Sequence, residues 1–204
     1  MRRLLPLVAF ALLSAAEAAA FNTYANIALK TTDRARVIDV LRELGRRAYV
    51  SPVTAGYVVV FDARTERDPD TLFDVVTQLS EKLKCPAIGA YDHDDALLIL
   101  VVAKEGKRVD TYVSNPGYFM GKREAPRGGD PAAIQEALGI KGEDERLRET
   151  FASQIFELEI ERHHQLIRAL ALPDYCRGAG HKYFHDDVLP WKYERKAWEI
   201  IGQP

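Results

Sequence analysis

The sequence predicts an α+β fold: a ferredoxin-like β-α-β-β-α-β core, an added hairpin and a helical C-terminal extension. Three observations carry this expectation. Between residues 21 and 114 the apolar periodicity switches between the two-residue repeat of strands and the 3.6-residue repeat of helices, in the order of that core. Aspartates in N-cap position mark the starts of its two helices. From 115 to 204 the chain becomes a turn-rich connector, then helical, then an aromatic tail expected to pack on the core. In such a fold the core helices lie on one face of an antiparallel sheet.

Thr23 to Lys30 (TYANIALK) reads as the first strand. Thr31, Thr32 and Asp33 offer capping oxygens to a helix whose apolar positions are Val37, Ile38, Val40, Leu41 and Leu44, and Gly45 suits its left-handed end. Ala48 to Val53 and Tyr57 to Ala63 are β-rich and flank Thr54-Ala55-Gly56, a hairpin pattern. Asp68-Pro69 sets a capping carboxylate before a proline at the first helical position. Leu72, Phe73, Val75, Val76, Leu79 and Leu83 form that helix's apolar face, and Cys85-Pro86 ends it. Ala87 to Tyr91, Ala96 to Ala103 and Val109 to Ser114 read as three more strands. Leu97 to Val102 is apolar throughout, as for a central strand covered on both faces.

Asn115 to Asp130 is punctuated by Gly and Pro. Asp130-Pro131 repeats the helix-start device, and Gly139 closes a short helix. Glu143 to Leu172 is helical in composition, with a break near Ser153 and a stop at Pro173. The tail beyond carries both tryptophans, Trp191 and Trp198, whose area favours packing.

Composition narrows the function. The 204 residues are 47% hydrophobic and 28% charged, which fits a folded globular chain. Net charge is −2, so no global positive field attracts nucleic acid or an anionic membrane. Two cysteines exclude a disulfide-dense scaffold and a Cys-rich zinc ribbon. Arg2-Arg3, the apolar run Leu4 to Leu13 and the small residues up to Ala20 have the three-part order of a signal peptide over 1–20. Export predicts a periplasmic or secreted protein without an integral membrane segment after cleavage. A start codon set too early would instead leave it cytoplasmic. In an oxidising compartment Cys85 and Cys176 could pair.

The combination TYANIAL, YVSP, HDDA, SNPGYF, GGD and ERHHQLIRALALP resembles a group of uncharacterised bacterial proteins over nearly everything after the leader. That resemblance implies no catalytic residue. A late strand followed by a Gly-x-Asp helix start is also similar to small bacterial immunity and interaction proteins.

Several residue sets could carry chemistry. Asp92, His93 and Asp94 could bind a divalent cation or exchange protons, or simply form a hairpin turn. Gly128-Gly129 precedes a helix and could cradle a phosphate, although Asp130 should occupy the cap itself. Glu161 and His164 share a helical face, but a di-iron site needs a second such pair. Cys176, His181 and His185, with His164, Asp174 or Asp186 as a fourth ligand, could hold zinc; the competing reading is histidines that pack locally. The aromatic and basic tail could stack nucleic acid, but slight acidity and export argue against that partner. No Gly-x-Ser-x-Gly or His-Glu-x-x-His motif is present. The sequence therefore predicts a non-enzymatic binding or interaction protein of the cell envelope, with a protein partner and no cofactor. The alternative is a metal-binding protein or metal-dependent enzyme using the C-terminal His and Cys residues.

Overall fold

The computed structural model of the protein describes residues 23–154 and 156–202; the expected leader lies outside them. The fold is mixed α+β, built on a seven-stranded antiparallel sheet in the order β6-β5-β4-β1-β3-β2-β7. The strands are β1 (Tyr24–Leu29), β2 (Ala48–Val50), β3 (Val58–Asp62), β4 (Ala87–His93), β5 (Leu97–Lys104), β6 (Lys107–Val113) and β7 (Glu199–Ile201). Helices α1 (Arg34–Glu43) and α2 (Pro69–Leu83) interrupt the first four strands. Both caps act as the sequence suggests: Asp33 accepts from the Arg36 amide, and Asp68 accepts from the amides of Asp70 and Thr71. Gly89 lets α2 approach β4, because a Cβ there would meet Val76 at 2.5 Å.

Period-two alternation splits each strand between two cores. Ala25, Ile27 and Leu29 of β1 join Leu97, Ile99 and Val101 of β5 in the core beneath α1 and α2. Ala28 of β1, Ala90 of β4 and Leu98, Leu100 and Val102 of β5 face the opposite core. That second core is closed by α3 (Pro131–Leu138), α4 (Asp144–Ala152), α5 (Glu159–Ala169) and α6 (His181–His185). Helices therefore cover both faces of the sheet, not one. The apolar run of β5 has this cause, although β5 lies second from the sheet edge, between β4 and β6.

The expected break near Ser153 is real: α4 ends there with Ser153 in extended backbone. Arg162 of α5, only 2% exposed, donates to the carbonyls of Thr150 (2.5 Å) and Ser153 (2.7 Å) and to Glu159 Oε2 (2.7 Å). It thereby satisfies carbonyls that the end of α4 leaves open. In the tail, Trp198 packs on Phe61 (ring centroids 5.0 Å) and Phe184 (4.8 Å), and Phe184 packs on Tyr49 (4.3 Å). Such aromatic pairs contribute about 0.5–1.5 kcal/mol each beyond area burial. The chain then adds β7, which pairs antiparallel with β2 and covers its edge. Among the described residues no helix is long and apolar enough to cross a membrane.

Asn26 joins the sheet to the C-terminal layer. Its buried amide nitrogen donates to the carbonyls of Cys176 (3.0 Å) and Ala179 (2.9 Å). Asn26→Leu should lower the free energy of unfolding by about 2–4 kcal/mol, because two buried carbonyls lose their donor. Guanidinium denaturation measures this; a loss below about 0.5 kcal/mol would remove Asn26 from its joining role.

Candidate functional site

The titratable residues concentrate where β1 begins and β4 ends. The β4–β5 connection is a hairpin turn: Asp94 and Asp95 have φ of 54° and 53°, and the Ala96 amide donates to the His93 carbonyl at 3.0 Å. Aspartate tolerates this left-handed backbone better than most residues. The pleat takes Asp92 out of the expected Asp92, His93 and Asp94 set, while His93 Nε2 and Asp94 Oδ2 stay 3.6 Å apart. Asp92 is fully buried, while His93 stacks on Tyr91 (5.9 Å) and meets Tyr118 (5.5 Å) and Phe119 (5.4 Å). Tyr91 belongs to the core beneath α1 and α2.

The zinc set is not assembled either. Cys176 lies fully buried in the C-terminal core, and burial, then Asp174, push its thiol well above the usual range. His181 and His185 are one turn apart on α6 with parallel rings 6.3 Å apart, and their partner is Tyr49: its ring lies 4.7 Å from His181, and its hydroxyl is 3.1 Å from His185 Nδ1. His164 lines a separate hollow with Arg177 and Trp191. Among the described residues no three His, Cys, Asp or Glu side chains come together as a metal-holding group. The two cysteines are free, and the sheet lies between their cores, so they do not pair. Burial raises the Cys85 thiol to about 11. At Gly128-Gly129 the amides of Gly129 and Asp130 already donate to Asp110 (3.1 and 2.5 Å), which fills the place a phosphate would take.

Tyr24 and His163, which the sequence does not mark as a site, form a buried polar cluster with the expected Asp92. Tyr24 and His163, both almost inaccessible, meet through the tyrosine hydroxyl and Nδ1 at 2.7 Å. Burial, then His164, push the His163 pKa down to about 3. Asp92 accepts the Asp95 amide at Oδ1 (3.0 Å), while its Oδ2 has no hydrogen-bond partner among the described residues. Burial, reinforced by the neighbouring Asp95, raises its pKa to about 8. One signal was available in the sequence: Leu158, Arg162 and Leu166 share one helical face, so the arginine occupies an apolar-stripe position.

Two concavities open near this cluster. A cleft of about 410 Å³ lies between the 114–126 connector and residues 153–154 and 156–157, with Asp95, Glu159 and Arg162 in its wall. A groove of about 620 Å³ lies beside α6, lined by Glu66, Asp94, His181 and Tyr183 among others. No protein-family model, curated protein or solved structure matches this chain.

The perturbed acids give stability a definite pH dependence. Asp92 (folded pKa about 8) and Glu66 (raised to about 7, chiefly by burial) hold protons that the unfolded chain releases near pH 4. Stability from these groups is full at low pH and is lost as pH rises through the folded values. His163 (about 3) and His181 (about 4) act oppositely, but only below the unfolded imidazole value of about 6.5. Between about pH 6.5 and 8.5 the acids act alone, so unfolding free energy should fall by on the order of 1–2 kcal/mol. Asp92→Asn, which keeps the Oδ1 acceptor, should flatten that decline. Denaturant titrations at both pH values measure it; an equal slope in the variant would refute the assignment to Asp92.

Proposed function

We propose that the protein is a non-enzymatic binding protein of the cell envelope that engages a protein partner at the cleft beneath the connector. The observation that carries this reading is the pair Phe119 and Met120, 68% and 63% exposed and adjacent on a 3-10 turn (Tyr118–Met120), between Tyr118 and Gly121, which line the cleft. Leu158, 43% exposed, belongs to the loop that lines the same cleft. Single exposed apolar residues are ordinary, but a rigid apolar group beside a polar cleft is the usual form of an interaction site. His93 and Tyr118 pack against the Phe119 ring (5.4 and 5.2 Å), so the turn is held without a partner and little ordering is needed on binding. The cleft supplies both charge signs, with Lys122 and Arg123 against Glu124 and Glu157. The ordered basic, apolar and small-residue regions of 1–20 support placement in the envelope. We further read the four strands β4-β1-β3-β2 with α1 and α2 as a ferredoxin-like unit; their order and antiparallel pairing support this.

A photo-crosslinking phenylalanine analogue at position 119, in the native cell, should give one discrete adduct absent from the same probe at Val188. The purified adduct partner should then bind Phe119→Asp or Met120→Asp protein at least about tenfold more weakly than wild type, with thermal midpoints unchanged. Equal adducts from both positions, or unaltered affinity, would overturn the reading.

A further inference from the structure

The groove beside α6 has a charge pattern that the partner cleft lacks. Three separate segments bring cations to it: Arg47 just before β2, Arg67 just before α2, and Lys182 on α6. None of these three side chains has a hydrogen bond or ion pair with a described residue. By contrast, Arg36, Arg42 and Arg46 are paired with Glu43, Glu199 and Asp62. Gly202, with φ of 75°, leaves room for the Arg47 stem, since a Cβ there would lie 2.7 Å from Arg47 Cγ. Both guanidinium groups lie close enough to the half-buried His181 ring that, after burial, they help push its pKa down to about 4.

The groove's carboxylates are already engaged. Both Glu66 oxygens accept the Lys182 amide at 3.2 Å, and a Cβ at Gly180 would lie 2.0 Å from Glu66 Oε1 and 2.7 Å from the Ala25 carbonyl oxygen. Asp94 accepts from Thr23 Oγ1 at 2.9 Å and lies 3.6 Å from His93 Nε2. Burial raises the Glu66 pKa to about 7, so at neutral pH it opposes an incoming anion only in part. Amide donors at the start of α6 are taken by Glu66, so an anion would be held by side chains. Guanidinium forks match phosphate oxygens in pairs, and an ammonium adds a point charge. The volume, about 620 Å³, lies in the range of small-molecule sites.

We infer that this groove binds a small phosphate-bearing anion, with Arg47 and Arg67 gripping phosphate oxygens and Lys182 supplying the third charge. Three unpaired cations favour a phosphate carrying two or more negative charges over a monocarboxylate. The inference is independent of the partner cleft: either site can fail its test while the other stands.

The test uses the full chain, sodium pyrophosphate as the probe, and constant ionic strength. Calorimetric titration should show saturable one-to-one binding. The His181 imidazole, followed by NMR, should rise in pKa by about one unit as the bound anion offsets the two guanidinium charges. Arg47→Gln and Arg67→Gln should each weaken binding at least about tenfold, while Arg36→Gln, a control outside the groove, should not. Arg47 and Arg67 are exposed, so both variants are expected to keep the wild-type thermal midpoint; the wild-type His181 shift tests the site even if they do not. Absence of saturation, equal weakening by Arg36→Gln, or an unmoved His181 pKa would overturn the inference. Succinate binding as tightly as pyrophosphate would overturn the phosphate assignment. Binding to phosphatidylglycerol vesicles without binding to pyrophosphate would overturn the soluble-ligand assignment.

Discussion

Strand β1 is buried on both faces, and most of the structure follows from that constraint. Its neighbours β3 and β4 take its backbone groups, and its side chains alternate between two cores. One face is purely apolar and needs only α1 and α2. The other carries Tyr24 and Asn26, whose polar atoms have no water to turn to. Their partners are His163 and the carbonyls of Cys176 and Ala179, all from the C-terminal layer. Apolar contact alone would let that layer slide. These hydrogen bonds give it one position.

The same constraint places the two concavities. Where β1 begins, the sheet ends and the buried polar cluster approaches the surface. The β4–β5 turn divides the outlet, with Asp95 in the wall of the cleft and Asp94 in the wall of the groove. Arg162 holds the 150–153 segment and Glu159 together and so keeps the cleft's second loop in place. The cleft presents apolar side chains beside mixed charge, whereas the groove presents unpaired cations. One sheet end thus carries two concavities of different chemistry.

Much of this fold was legible in the sequence because its signals are local. Asp33, Asp68 and Asp130 all cap the helices they precede, and the break at Ser153 is where composition suggested it. Strand β7 was not legible. Three residues are too few for alternation to register, and their partner β2 lies some 150 residues earlier in the chain. The candidate site was harder still. The HDD run and the Cys176, His181 and His185 spacing looked like chemistry because the residues are close in sequence. The pleat takes Asp92 away from His93 and Asp94 in the first set, and burial of Cys176 away from the Tyr49-facing histidines separates the second. What does converge, Tyr24 with His163 and Arg47 with Arg67 and His181, comes from segments that no spacing rule connects.

The central claim is that the sheet and the C-terminal layer form one cooperative unit through β1. Native-state hydrogen exchange across a range of sub-denaturing guanidinium tests it most directly. The amides of β1, β4 and α5 should share one opening free energy and one denaturant dependence, equal to those of global unfolding. If the α5 amides instead exchange through a smaller opening while β1 and β4 remain protected, the C-terminal layer is an accessory and the claim is wrong.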